Sequence, residues 1–244
     1  MATTARPFSL QHPERIHPAL WRATQLACTR HNAMSTGFPQ LDNELPDRGW
    51  PLGSLIEILP SQPGVGEMSL LHPALARLDS KRSIALVNPP YSPYFHCWRN
   101  WRLQQHRLLW IRPQTCSDTL WATEQILRHN ACSAVVCWAD SIRLPALRRL
   151  HLAAQQTETL LFLQRPYSAA QQTSAAPLRL RLRPNAGGLE VFIAKRRGPC
   201  PTHPILVTFP FTRVTAGASI HHAALDQPIS AHAQPGRLFS AVAG

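Results

Sequence analysis

The chain has 244 residues, a formal net charge of +12 and 44% hydrophobic side chains, enough length and apolar content to bury a full core. No apolar run reaches the roughly 20 residues that a bilayer crossing demands, which excludes a membrane-spanning helix, and the first ten residues lack the apolar stretch of a secretory signal, so the expected home is the cytoplasm. The positive excess attracts polyanions, nucleic acid first among them. Only Lys81 and Lys195 are lysines, however, and an arginine-rich usage of this kind also follows from base composition alone.

Residues 1–33 mix Pro, His, Arg and Ala with weak periodicity and read as an N-terminal arm, with a short amphipathic helix over 17–28. Residues 54–59, SLIEIL, form a short apolar strand, followed by the loop PSQPGVG and a helical pattern, MSLLHPALARL, which Pro73 is expected to interrupt early. Residues 83–87 give a second strand, stopped by Asn88-Pro89-Pro90, and 108–111 a third. A helix is predicted over 118–128, capped by Ser117 or Asp118, with Leu120, Trp121, Ile126 and Leu127 as its apolar positions. Residues 134–138 read as a strand buried on both faces, 142–155 as a helix, and 159–163 as a fifth strand. The strict alternation of 178–183, LRLRLR, then turns at 185–188 into 189–195, a hairpin signal. From 211 to 244 little is available to bury, and a disordered tail is expected.

Strands alternating with helices predict an α/β fold with a mostly parallel sheet flanked by helices, a C-terminal antiparallel hairpin and flexible tails. The six cysteines show no short paired spacing, as expected of thiols in a reducing compartment, with Cys132 and Cys137 as core packing. Cys200 and His203 have ligand-like separation but no second pair, so no metal is expected.

The ordered set Ser35-Thr36-Gly37, Leu41-Asp42, Leu45, Gly49, Pro51, Gly53 and the strand LIEIL resembles the start of the RecA core. The resemblance continues through AVVCWADS at the Walker B place and TLLFLQRP to the hairpin, implying a degenerate RecA-like core over residues 34–210. Within that class the chain resembles the ImuA family, RecA-like proteins associated with translesion synthesis and similar in turn to the cell-division inhibitor SulA. The narrower resemblance is carried by QPGVGEMSLLHPALARL, LVNPPYSPY and DTLWATEQILR.

A working phosphate loop needs exposed glycine amides, a lysine for the β and γ phosphates and a hydroxyl for magnesium. Here Gly64 and Gly66 are kept, Glu67 stands at the lysine position and Met68 at the hydroxyl position, with Ser69 next to it. A carboxylate beside phosphate oxygens is repelled by about 1 kcal/mol in water and several-fold more at lower dielectric. Trp138 stands where the Walker B aspartate would end its strand, with Asp140 two residues on, and Pro90 where the water-activating glutamate would follow the second strand. The expectation is a chain that is not an enzyme and holds no nucleotide cofactor.

Two surfaces remain as candidates for partner or DNA binding. Arg179, Arg181 and Arg183 share one strand face, and Lys195-Arg196-Arg197 closes the partner strand; they form either a basic ledge for phosphates or a solvated edge that discourages aggregation. Arg143, Arg148 and Arg149 read as a solvated helix face. Tyr91, Tyr94, Phe95, Trp98 and Trp101, interleaved with His96, Arg99 and Arg102, suit base stacking, a protein interface or core packing.

The ImuA resemblance implies an SOS-response adaptor for a Y-family-like polymerase homologue and an error-prone replicative polymerase, acting at the nucleoid and in contact with RecA or DNA. The SulA resemblance implies the alternative, an inhibitor that binds the tubulin-like division protein.

Overall fold

The computed structural model describes residues 32–79, 81–92, 98, 101, 103 and 107–209. The helix expected over 17–28, the tail from 211, and Tyr94, Phe95, His96, Arg99 and Arg102 lie outside these residues. In chain order the elements are β1 Ala33–Met34, α1 Pro39–Asp42, β2 Trp50–Pro51, β3 Leu55–Pro60, α2 Glu67–Arg77, β4 Ser83–Val87 and β5 Leu108–Ile111. They continue with α3 Cys116–Arg128, β6 Cys132–Trp138, α4 Leu144–Gln155, β7 Leu160–Gln164, β8 Leu178–Asn185, β9 Gly188–Lys195 and β10 Ile205–Val207.

Eight strands make one sheet in the order β10-β9-β8-β3-β7-β6-β4-β5. From β8 to β5 every pairing is parallel, while β9 and β10 add antiparallel strands at one edge. This is the expected mostly parallel sheet with its antiparallel hairpin. The strand that feeds the glycine loop, β3, lies between β7 and β8, so the C-terminal ends of β3, β4, β6 and β7 converge on one rim, where ligands of open α/β sheets bind.

Period-two geometry divides the strand residues between two cores. Ile56, Ile58, Leu86, Val136, Phe162 and Leu180 pack on one face with Leu70, Leu71, Ala74 and Leu75 of α2. Leu55, Val87, Val135, Leu161 and Leu163 pack on the other with Leu127, Leu147, Leu150 and Ala154 of α3 and α4. Because both faces are covered, the central strands read as continuous apolar runs rather than alternating ones.

Several expectations are corrected. Thr115, not Ser117 or Asp118, caps α3: its Oγ1 accepts from the Asp118 amide at 3.1 Å and donates to the Asp118 carboxylate at 2.8 Å. Trp121 is 62% exposed, because the face of α3 turned inward carries Thr119, Thr123, Glu124 and Leu127. Pro73 does not stop α2, which runs on to Arg77; its ring packs on Gly37, whose left-handed φ of 91° and missing Cβ leave it room. The short strand β10 was not foreseen. Gly188, at φ 145°, lets the Val207 carbonyl of β10 approach a backbone that any Cβ would obstruct.

Cys132 and Cys137 are buried as expected. Burial pushes the Cys137 thiol up to about 12, even though the Thr123 hydroxyl donates to its sulfur at 3.4 Å, and burial also raises Cys132. Since the thiolate is the reactive form, alkylation of the native protein at pH 8 should label exposed Cys116 and Cys200 and spare Cys132 and Cys137 until denaturant is added. Peptide mass spectrometry checks this, and rapid native labelling of Cys137 would contradict it.

Candidate functional site

The motif that opens the core turns out to be architectural. The Thr36 amide donates to Asp42 Oδ1 at 2.8 Å and Ser35 Oγ to Oδ2 at 2.7 Å, which fixes α1 so that Leu41 and Leu45 enter the core. Through Gly37 and Pro73 the same segment braces α2, the helix that begins at the glycine loop.

In that loop Gly64 and Gly66 hold left-handed φ values of 85° and 111°, as a phosphate cradle requires. The cradle already contains an anion. Glu67, the first residue of α2, turns its carboxylate back onto the loop: the Gly64 amide donates to Oε1 at 2.8 Å and the Gly66 amide to Oε2 at 3.1 Å. Glu67 is only 7% exposed. Amide bonds to an ionised acceptor contribute roughly 1.5–3 kcal/mol each, and the helix N-terminus favours negative charge. A phosphate would therefore have to displace an intramolecular carboxylate and then sit beside it. Met68 packs half-buried against the core, near Gln164 Nε2 at 4.0 Å, and Ser69 faces the cleft without a lysine beside it.

Two cavities of about 300 and 310 Å³ flank this carboxylate. They share Glu67, Pro90 and Trp138. The first is walled by Met68, Leu86, Pro89, Tyr91, Trp98 and Trp101. The second includes Asn88, Asp140, Gln164, Arg165 and Tyr167. Trp138 ends β6 half-buried, its carbonyl accepting from Asn88 Nδ2 at 3.2 Å. Asp140 is exposed and lines the second cavity. The structure thus brings Glu67, Pro90, Trp138 and Asp140 to one rim and adds an aromatic wall to them. Trp98 is buried, Trp101 half-buried and Tyr91 70% exposed; the two indoles meet edge to face at 5.8 Å, and His72 stacks on Trp101 at 4.8 Å. Burial lowers the affinity of His72 for a proton.

The basic ledge is corrected at its first member. Arg179, Arg181 and Arg183 do share a face, but they differ in depth. Arg179 is 6% exposed; its Nε donates to Glu57 Oε2 at 2.6 Å and its other nitrogens to the carbonyls of Ala169, Ala170 and Gln172. No phosphate can reach it. Arg181 is half-buried over the Phe192 ring at 5.5 Å, and exposed Arg183 donates to the Tyr167 hydroxyl at 2.9 Å. Lys195 donates to the Ser174 carbonyl, Arg196 to the Pro199 carbonyl and to Glu44, and Arg197 is exposed beside Asn32 and Glu158.

Arg179 belongs to a buried cluster that the sequence reading missed. Glu57 of β3 also accepts from Arg165 Nη1 at 3.2 Å and Ser174 Oγ at 2.7 Å, all beneath the hairpin face. Its signal was present: one acid inside an apolar strand buried on both faces demands a cation, and β8 supplies Arg179 directly opposite.

Arg149 and Arg128 both pair with Glu124, whose carboxyl they hold below the usual range, the Arg149 hydrogen bond being the main cause. Among the described residues no group of three or more His, Cys, Asp and Glu is placed to hold a metal, and no helix is long and apolar enough to cross a membrane.

The fold and the rim together define an α/β protein with a mostly parallel sheet, whose glycine loop is filled by its own glutamate. The sequence matches no family model and no curated protein. Among solved structures, SulA from Pseudomonas aeruginosa is similar with a TM-score of 0.39 and 24% identity, over 46% of this chain and 97% of that one.

Proposed function

We propose that this chain is a non-catalytic RecA-like accessory protein of SOS-induced translesion DNA synthesis, an adaptor for a Y-family-like polymerase homologue and an error-prone replicative polymerase. The observation that carries the non-catalytic reading is the Glu67 carboxylate bonded to the Gly64 and Gly66 amides. Hydrolysis would further need a metal-holding acid and a base where Trp138 and Pro90 stand, and neither side chain offers one. Freed of nucleotide, the rim of the sheet presents aromatic surface of the kind that dominates protein interfaces. The damage-tolerance context comes from the resemblance of QPGVGEMSLLHPALARL, LVNPPYSPY and DTLWATEQILR to the ImuA family. Contact with RecA or with DNA belongs to the same reading, and after the loss of Arg179 any DNA contact falls to the outer arginines.

Two measurements test it. Magnesium-dependent phosphate release should stay at buffer background, and the polymerase homologue should co-purify with the chain when the two are co-expressed. Phosphate release abolished by substitution at Gly66 would sink the non-catalytic reading; failure to co-purify would sink the adaptor role.

A further inference from the structure

The charge of the cleft is inverted relative to the protein that carries it. The chain has 25 Lys and Arg against 13 Asp and Glu, yet among the described residues the ionisable side chains lining the two cavities, tyrosines aside, are Glu67, Asp140 and Arg165. The Arg165 guanidinium is fully buried and shares the single carboxylate of Glu57 with Arg179, so that cluster keeps one positive charge. Against it stand the carboxylates of Glu67 and Asp140, and the balance of the described lining is still negative.

Hydrogen-bonding capacity points the same way. Each oxygen of Glu67 takes one amide bond, and a carboxylate oxygen accepts two, so capacity remains on both. Gln164, 3% exposed at the end of β7, lines the second cavity with a side-chain oxygen that has no hydrogen-bond partner. Three acceptor oxygens on two neighbouring buried side chains call for a ligand rich in N–H. The flanking walls are aromatic, Trp138 common to both cavities and Trp98, Trp101 and Tyr91 beyond it. Aromatic rings attract cations, and guanidinium stacks on them better than ammonium.

We propose that this cleft is a receptor for an arginine side chain presented by a protein partner. The planar fork donates to the two Glu67 oxygens and to Gln164 Oε1, the guanidinium lies against Trp138, and the aliphatic stem runs along Met68, Pro89 and Pro90. A nucleobase would use the same rings but would meet the carboxylate with its own lone pairs, and a lysine ammonium would lack the planar match. The inference deepens the reading of the rim as a recognition surface and rests on it.

The probe is N-acetyl-argininamide, titrated into the full chain while the tryptophan indole N–H signals are followed by NMR, with N-acetyl-citrullinamide as its neutral isostere. The indole of buried Trp50 reports whether each variant is folded. The argininamide should bind saturably with a dissociation constant on the order of 1 mM, a strength fitting for so small a ligand. Citrullinamide should not saturate. Glu67→Gln should weaken argininamide by at least about tenfold and Gln164→Leu by about threefold. Equal binding of the two probes, or unchanged binding in a folded Glu67→Gln or Gln164→Leu variant, overturns the proposal. A parallel titration with magnesium and ATP separates the levels of the argument. Saturable ATP binding would sink the recognition reading of the cleft and this inference with it, whereas binding of neither ATP nor argininamide would sink this inference alone.

Discussion

Glu57→Ala is expected to lower the free energy of unfolding by about 3–5 kcal/mol, the cost of breaking a buried ion pair by removing one partner. Glu57 has no exposed surface and holds Arg165 Nη1, Ser174 Oγ and Arg179 Nε at 3.2, 2.7 and 2.6 Å. Without it two guanidinium groups stay in the interior with no countercharge in contact. Arg179 also fastens the 3₁₀ turn Tyr167–Gln171 through the Ala169 and Ala170 carbonyls, so the damage should spread from β3 to that turn and to the start of β8. Urea unfolding followed by far-UV circular dichroism measures the effect. Exposed Arg183, changed to Ala, is the matched control and should stay within about 0.5 kcal/mol of the parent. A loss below about 1 kcal/mol for Glu57→Ala would show that the cluster does not hold the fold.

That contrast marks how far period-two reasoning reaches. It placed Arg179, Arg181 and Arg183 on one face correctly, because alternation is a local property of a strand. Depth is not local. The 3₁₀ turn after β7 covers the β3 end of that face, so the first arginine is interior, the second half-buried and the third in water. The same limit explains Trp121: helical spacing cannot tell which side the sheet will occupy, and the sheet took the side of Thr123, whose hydroxyl bonds Cys137 of β6, while Trp121 was left on the exposed rim of the groove between α3 and α4.

Strands were the most legible elements, since apolar runs ended by proline or glycine leave few choices. The ranges 83–87 and 108–111 coincide with β4 and β5, while β6 starts two residues earlier than expected and β7 one later. Three-residue β10 carries no pattern of its own and exists because β9 offers an edge and Gly188 leaves space. At the cleft, the sequence showed an acid, Glu67, directly after the glycine loop. What that acid does was not legible, because a carboxylate that folds back onto its own loop looks the same in sequence as one that points to solvent. Nor could spacing show that Trp98 and Trp101 line one cavity with Trp138 at the end of β6.

Trp50→Ala should cost about 3–5 kcal/mol, the range for emptying a large aromatic site in a packed core. Trp50 is fully buried in β2 and meets Phe162 of β7 edge to face, with ring centroids 5.3 Å apart, so it is the bolt between the small β1–β2 ribbon and the central sheet. Its indole nitrogen has no hydrogen-bond partner, which is an expense the larger ring already carries. Trp50→Phe keeps a ring against Phe162 and deletes that orphan donor, so it should lose less than half of what Trp50→Ala loses. The difference between the two substitutions is the informative quantity, because a purely volumetric role would scale both with the atoms removed, whereas an edge-to-face contact survives in the phenylalanine. Urea midpoints with unchanged m values measure both, and hydrogen exchange locates the effect. Loosening should reach β1, α1 and, through Gly37 and Pro73, the middle of α2. Equal losses in the two variants would mean that the ring contact with β7 contributes nothing of its own.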